Sequence, residues 1–185
     1  MASHSSHPAA LYKLRKVTRI SAVVILFLVV VGFFMPADYR VERSVVINAP
    51  RDSIYQDMLQ GDQLPKWMFI QGGRVALSEG VLGKGDSVAL LYDKTAEQGV
   101  LSVIESSEAV VRFDVRPKPK VNLVHNQIEL QGLDGGTLVK WTIKGNLSAG
   151  LLSPYLAMFA NNIAGSNFER SLQKLKEQIE LQHSR

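Results

Sequence analysis

The chain has 185 residues, 46% of them hydrophobic and 21% charged, with a formal net charge of +4. That length suits one compact domain with an appendage and excludes a large multidomain enzyme, while the composition excludes a disordered chain. Because the sequence contains no cysteine, disulfides, thiolate metal sites and cysteine nucleophiles are excluded too.

A positive net charge points first to nucleic acid, so its distribution matters. Lys13, Arg15, Lys16 and Arg19 are the only cationic residues before position 40, and no acid precedes Asp38. Without them, 17 lysines and arginines face 17 acids, so the bulk of the chain is formally neutral. Nucleic-acid binding therefore loses its support.

Directly after the basic cluster, Ile20 to Met35 is apolar apart from Ser21 and Gly32. Counted from Val17, the stretch is long enough for a helix of about 28 Å, close to a bilayer hydrocarbon core. Phe33, Phe34 and Tyr39 lie at its far end like interfacial aromatics, and Pro36 stops the helix. The competing readings are a cleaved signal peptide and a buried core helix. A cut after Ala37 would put Met35 where a small residue is wanted, and a core helix would show a polar face. The expected organisation is thus a cytoplasmic basic tail over 1–16, a transmembrane helix over 17–35 and a folded domain over 36–185. By the positive-inside rule the N-terminus stays in the cytoplasm and the domain crosses, to the periplasm or outer face of a bacterial inner membrane. Residues 1–10 read as an unstructured tail.

From Tyr39 the period changes. Val41 to Ile47 reads as a β-branched strand, and Asn48 to Asp52 begins a helix carrying Ile54, Tyr55, Met58 and Leu59. Asp62 to Met68 is a second short helical or turn segment. Arg74–Glu79, Ser87–Asp93, Gly99–Glu105, Ala109–Arg116, Val121–Gln131 and Thr137–Leu147 follow as strands, mostly antiparallel because their connections are short. Asp134-Gly135-Gly136 is a hairpin turn. Alternation gives Val111, Phe113 and Val115 one face and Arg112, Asp114 and Arg116 the other, and separates Val139, Trp141 and Ile143 from Lys140, Thr142 and Lys144. Val75 with Leu77, and Val88 with Leu90, extend the apolar set. Leu152, Leu156, Phe159 and Ile163, then Phe168, Leu172, Leu175 and Ile179, make a helical stripe with an offset around Gly165.

Strand, two short helices, about six more strands and a long final helix resembles the START-like (SRPBCC) superfamily, especially its polyketide cyclase/dehydrase-like branch. The resemblance rests on Val45-Val46-Ile47-Asn48-Ala49-Pro50 leading into the first helix, on Trp67, and on the closing Phe168-Glu169-Arg170-Ser171-Leu172-Gln173-Lys174-Leu175-Lys176. It spans residues 39–181, and the N-terminal apolar segment departs from it. It implies an α+β helix-grip fold: a curved antiparallel sheet of about seven strands around a long C-terminal helix, with an apolar cavity between them. The cavity residues implied are Trp67, Leu77, Leu90, Tyr92, Val111, Phe113, Val115, Val139, Trp141, Tyr155 and Phe159.

No catalytic constellation is legible. His125 reads as a strand-surface residue, and the domain's histidines, His125 and His183, do not make a metal site. Ser171-Leu172-Gln173-Lys174 has the spacing of acyl-serine enzymes but no partner motif. Glu79, Asp93, Glu105, Asp114 and Glu129 alternate with the apolar positions and read as solvated. No cofactor is expected. The apolar-rich segment Ala149–Ala164 leaves three readings open: a lid on the cavity, a surface touching the bilayer, or the well-buried first half of the helix. The expected function is a membrane-anchored module binding a lipid or other hydrophobic small molecule. A polyketide cyclase/dehydratase-like enzyme and an envelope adaptor with an unidentified protein partner are the alternatives.

Overall fold

The computed structural model describes residues 7–147 and 150–183. The first helix, α1 (His7–Phe34), runs through the apolar segment and ends just before Pro36. Its stretch Leu11–Phe34 is long and apolar enough to cross a bilayer, with a mean hydropathy of 2.5, and only 6% of it is buried. A helix packed into a soluble core is mostly covered, whereas the surface of this stretch stays open. Helix already begins at His7, so residues 7–10 belong to α1; the rest of the expected tail, with His4, lies outside the described residues.

After three residues the chain enters β1 (Asp38–Ile47), followed by α2 (Arg51–Met58) and the single turn α3 (Leu64–Trp67). Pro50 immediately precedes α2, where a missing N–H costs nothing, and Asp52 lies in the first turn near the positive end of the helix dipole. Six strands follow: β2 (Gly73–Val75), β3 (Ser87–Tyr92), β4 (Thr95–Ser106), β5 (Val110–Arg116), β6 (Val124–Leu133) and β7 (Gly136–Asn146). A short 3-10 turn, Gly150–Leu152, leads into the long α4 (Ser153–His183).

The strands form one antiparallel sheet in the order β1-β7-β6-β5-β4-β3-β2. Chain order is preserved from β2 to β7 because each connection is short, and β1 closes onto β7 through the pairing of Val41 with Ile143 and Val45 with Val139. At the β6–β7 turn Gly135 takes a φ of 88°, which a residue bearing a Cβ would resist. The curled sheet is gripped by the second half of α4, whose Leu172, Leu175 and Ile179 are fully buried. This half lies along the β1 edge and meets α3 on the other side. Ser171 fastens it: the Phe69 amide donates to its hydroxyl at 3.0 Å, and the hydroxyl donates to the Asn167 carbonyl at 2.9 Å. The serine of the Ser-x-x-Lys spacing is therefore a structural link. At the crossing, the Arg43 guanidinium pairs with Glu169 at 2.6 Å and lies close against Gly165. The architecture is an α+β helix-grip fold.

Two strand expectations are corrected. β2 stops at Val75, and Ala76 to Asp86 form a turn-rich connection tied back by a Gln60–Val81 bridge. β6 starts at Val124 because Pro117 and Pro119 break the preceding segment.

Candidate functional site: a cavity at one end of the grip

The concave face of the sheet has two territories. Near the end of β1, α2 and α3 press Met58, Leu59, Leu64 and Trp67 onto Leu101, Val103, Val111 and Ile128, leaving about 10 Å³ of free space. Trp67 is 1% exposed; its indole N–H donates to the Met58 carbonyl at 3.1 Å and its ring meets Trp141 edge-on at 5.9 Å. Close packing of this kind is what a protein core requires.

At the other end, where β1 and β6 begin and β3 and β5 finish, no element among the described residues fills the concavity. A cavity of about 270 Å³ opens there. The sheet supplies Leu90 and Tyr92 from β3, Phe113 and Val115 from β5, Val124 and Asn126 from β6, and Trp141 from β7. Asn167 and Phe168 of α4 close one side, and Tyr39, Met68 to Gln71 and Pro117 complete the wall. The Phe168 and Trp141 rings meet at a tilt of 54° with centroids 4.9 Å apart. Tyr39 lies over Gly145, its partner across β7, where any Cβ would strike the ring.

The polar groups of this wall are few and neutral. Asn126 is buried: its Oδ1 accepts the Trp141 indole N–H at 3.1 Å and its Nδ2 donates to the Val124 carbonyl at 3.0 Å. Burial pushes the phenols of Tyr39 and Tyr92 above their ordinary value, so both are uncharged near neutral pH. They are the ionisable side chains of the lining, beside the amides of Gln71, Asn126 and Asn167. Such a surface excludes charge, shelters apolar groups and offers a few hydrogen bonds.

A larger groove of about 520 Å³ lies on the convex face among Arg40, Arg112, His125, Gln127, Glu129 and Lys144. Most of its charged groups are paired: Arg40 with Glu42 at 3.0 Å, Arg112 with Glu105 at 2.6 Å, His125 with Asp114 at 2.7 Å and Glu129 with Lys140 at 2.6 Å. These pairs hold the Glu42 and Glu129 carboxyls below, and the Lys140 ammonium above, their ordinary values, hydrogen bonding being the largest cause in each. The groove is a solvated lattice of ion pairs, which makes the apolar cavity the better candidate despite its smaller volume.

Of the residues expected at the cavity, Leu90, Tyr92, Phe113, Val115 and Trp141 stand in its wall. Trp67 and Val111 belong to the filled territory, and Val139 is buried in the core. Three lie elsewhere. Leu77 is 77% exposed because β2 ends two residues before it and the alternation lapses. Tyr155 donates its hydroxyl to the Leu28 carbonyl of α1, and Phe159 is 57% exposed, because this half of α4 extends past the sheet. Expectation passed over Tyr39, Val124, Asn126 and Phe168. Val124 and Asn126 share the phase of Ile128 and Leu130 on β6, so period-two alternation was the available signal.

No protein-family model matches the sequence, and no curated protein is similar to it. Solved structures share the fold at low identity. A Staphylococcus aureus protein of unknown function superposes with a TM-score of 0.65 at 12% identity, covering 80% of this chain and 97% of its own. One part of the di-domain aromatase/cyclase StfQ from the steffimycin biosynthetic pathway gives 0.63 at 12% identity, covering 80% of this chain and 52% of StfQ. Ara h 8.0201 gives 0.51 at 15% identity, covering 75% and 97%.

Proposed function

We propose that this protein is a membrane-anchored START-like (SRPBCC) module that takes up a lipid or other hydrophobic small molecule in the open end of its grip. The carrying observation is the cavity of about 270 Å³, walled by aromatic and aliphatic side chains with only neutral polar groups among them. Its volume lies just below the roughly 300–1,000 Å³ of ordinary small-molecule sites. One acyl chain or a compact ring system fits that space, with Tyr39, Tyr92 and the amides to receive a polar end; a complete two-chain lipid does not. The likeness to an aromatase/cyclase supports a hydrophobic occupant through the shared fold.

The anchor reading is supported by α1, whose apolar surface stays uncovered, and by the four cations at its N-terminal side. On this reading residues 36–185 lie outside the cytoplasm, as a periplasmic domain in a bacterium, and tethering raises the local concentration of membrane-derived ligand at the cavity. An enzyme of the cyclase type would work here with phenols and amides, since these are the polar groups the wall supplies.

The test is displacement of an environment-sensitive fluorescent fatty acid from the full chain in detergent. Saturable binding that is lost in Val115→Trp, where an indole occupies the cavity, supports the reading. Equal binding by parent and variant contradicts it.

A further inference from the structure

The first half of α4 has no place in the grip, although it is rich in apolar residues. Leu152 is 64% exposed, and Leu156 and Phe159 are exposed with it. Leu156 and Phe159, three residues apart, share one side of α4, and Leu152 ends the 3-10 turn that leads into it. These three are not buried, and none of them lines the cavity, whose wall among the described residues of α4 is Asn167 and Phe168, so they are not its lid. The surrounding sequence is unusual too: between Lys144 and Glu169 no residue is charged.

What they lie beside is α1. The 3-10 turn and the start of α4 touch it, Tyr155 donates to the Leu28 carbonyl, and Gly32 is buried. Leu28 stands six residues before the end of α1 at Phe34. At 1.5 Å per residue, that contact is about 9 Å back along the helix from its end. Interfacial helices bury their apolar faces about 5–10 Å into the headgroup and acyl boundary, the same depth.

We infer that the 3-10 turn ending at Leu152 and the first turns of α4, with Leu156 and Phe159, are a second membrane-contacting element, lying in the outer bilayer interface against α1. The inference rests on the proposed reading of α1 as a membrane span. Its occupant is the lipid surface, because a charge-free helical face at that depth meets acyl chains rather than water. The cavity then faces the bilayer: its lining at Tyr39, Val115 and Val124 lies at the end of the sheet where β1 leaves the anchor. A ligand can pass from membrane to cavity beside Phe168 without crossing bulk water.

The lack of cysteine allows single labels. Bimane is attached to the full chain at Leu152→Cys or Phe159→Cys, with Val24→Cys in α1 and Ser44→Cys on the convex face as references. Each protein is reconstituted into phosphatidylethanolamine–phosphatidylglycerol vesicles containing nitroxide-labelled lipid. Labels at 152 and 159 are expected to lose about half or more of their emission, as at position 24, because they lie within reach of lipid chains. Ser44→Cys is expected to keep its emission. Quenching at position 24 with none at 152 and 159 overturns the interfacial element alone, including the case in which a second copy covers it. No quenching at position 24 overturns the anchor reading and this inference with it. Both new positions are solvent-exposed and on separate turns, so neither substitution removes core packing.

Discussion

The two ends of the concave face are built from the same strands with the same alternation, yet one is a packed core and the other a cavity. Phe113 and Val111 are neighbours on one side of β5; Val111 meets the α2–α3 layer, while Phe113 also borders empty space. The difference lies in what stands opposite. Met58, Leu64 and Trp67 cover the first territory, whereas the second faces Phe168 and Asn167 across an opening. An inward-facing apolar residue is thus packing or ligand wall according to its partner, and its own strand position does not decide which.

Substitutions should separate the territories sharply. Trp67→Ala removes the largest fully buried side chain of the filled end and is expected to cost about 3–5 kcal/mol, read by thermal unfolding of the full chain in detergent. Fatty-acid binding by the protein that remains folded should be nearly unchanged. Equal damage to both would show that the territories act as one. Asn126→Leu, in the cavity wall, strands the buried Trp141 indole N–H and should cost about 1–3 kcal/mol. Val115→Trp should change stability within about 1 kcal/mol, because it adds volume where space exists, while abolishing ligand uptake.

The ionisable groups give smaller effects. Tyr39 and Tyr92 have raised folded values, so the stability they contribute is complete below the ordinary phenol value and lost as pH rises through the folded one. Alkaline titration should show phenolate absorbance emerging above the ordinary range, and Tyr39→Phe with Tyr92→Phe should remove it. On the convex face the Glu129 carboxyl is lowered, so its contribution is present above the unfolded value and lost as pH falls through the folded one. Lys140→Met should raise the Glu129 value measured by NMR with little change in unfolding temperature, since exposed ion pairs contribute little.

Much of this fold could be read before any coordinates. Alternation placed Val139, Trp141 and Ile143 inward and Lys140 and Lys144 outward, and the spacing of Leu172, Leu175 and Ile179 marked the gripping face of α4. Reading failed where a period lapses or a contact is made at long range. Leu77 continues an alternation that β2 does not. Phe159 continues the helical stripe of Leu152 and Leu156, but the sheet ends before it, and the offset at Gly165 was the one local sign of a change of partner. Asn126 was passed over because an amide is not an expected wall residue, although its phase on β6 matches that of Ile128 and Leu130. Nothing near Tyr155 signalled its bond to Leu28, a contact between segments far apart in the chain. Which inward residues border a cavity depends on the docking of α3 and α4, a tertiary outcome that strand pattern alone does not encode.

The central claim is that the open end of the grip holds a hydrophobic occupant. Native mass spectrometry of the full chain, extracted mildly from cells and compared with Val115→Trp, tests it most directly. A discrete bound mass of one acyl chain or a compact apolar molecule, absent from the variant, is the predicted result. A parent protein that carries no such mass, or one whose bound mass persists in Val115→Trp, would contradict it.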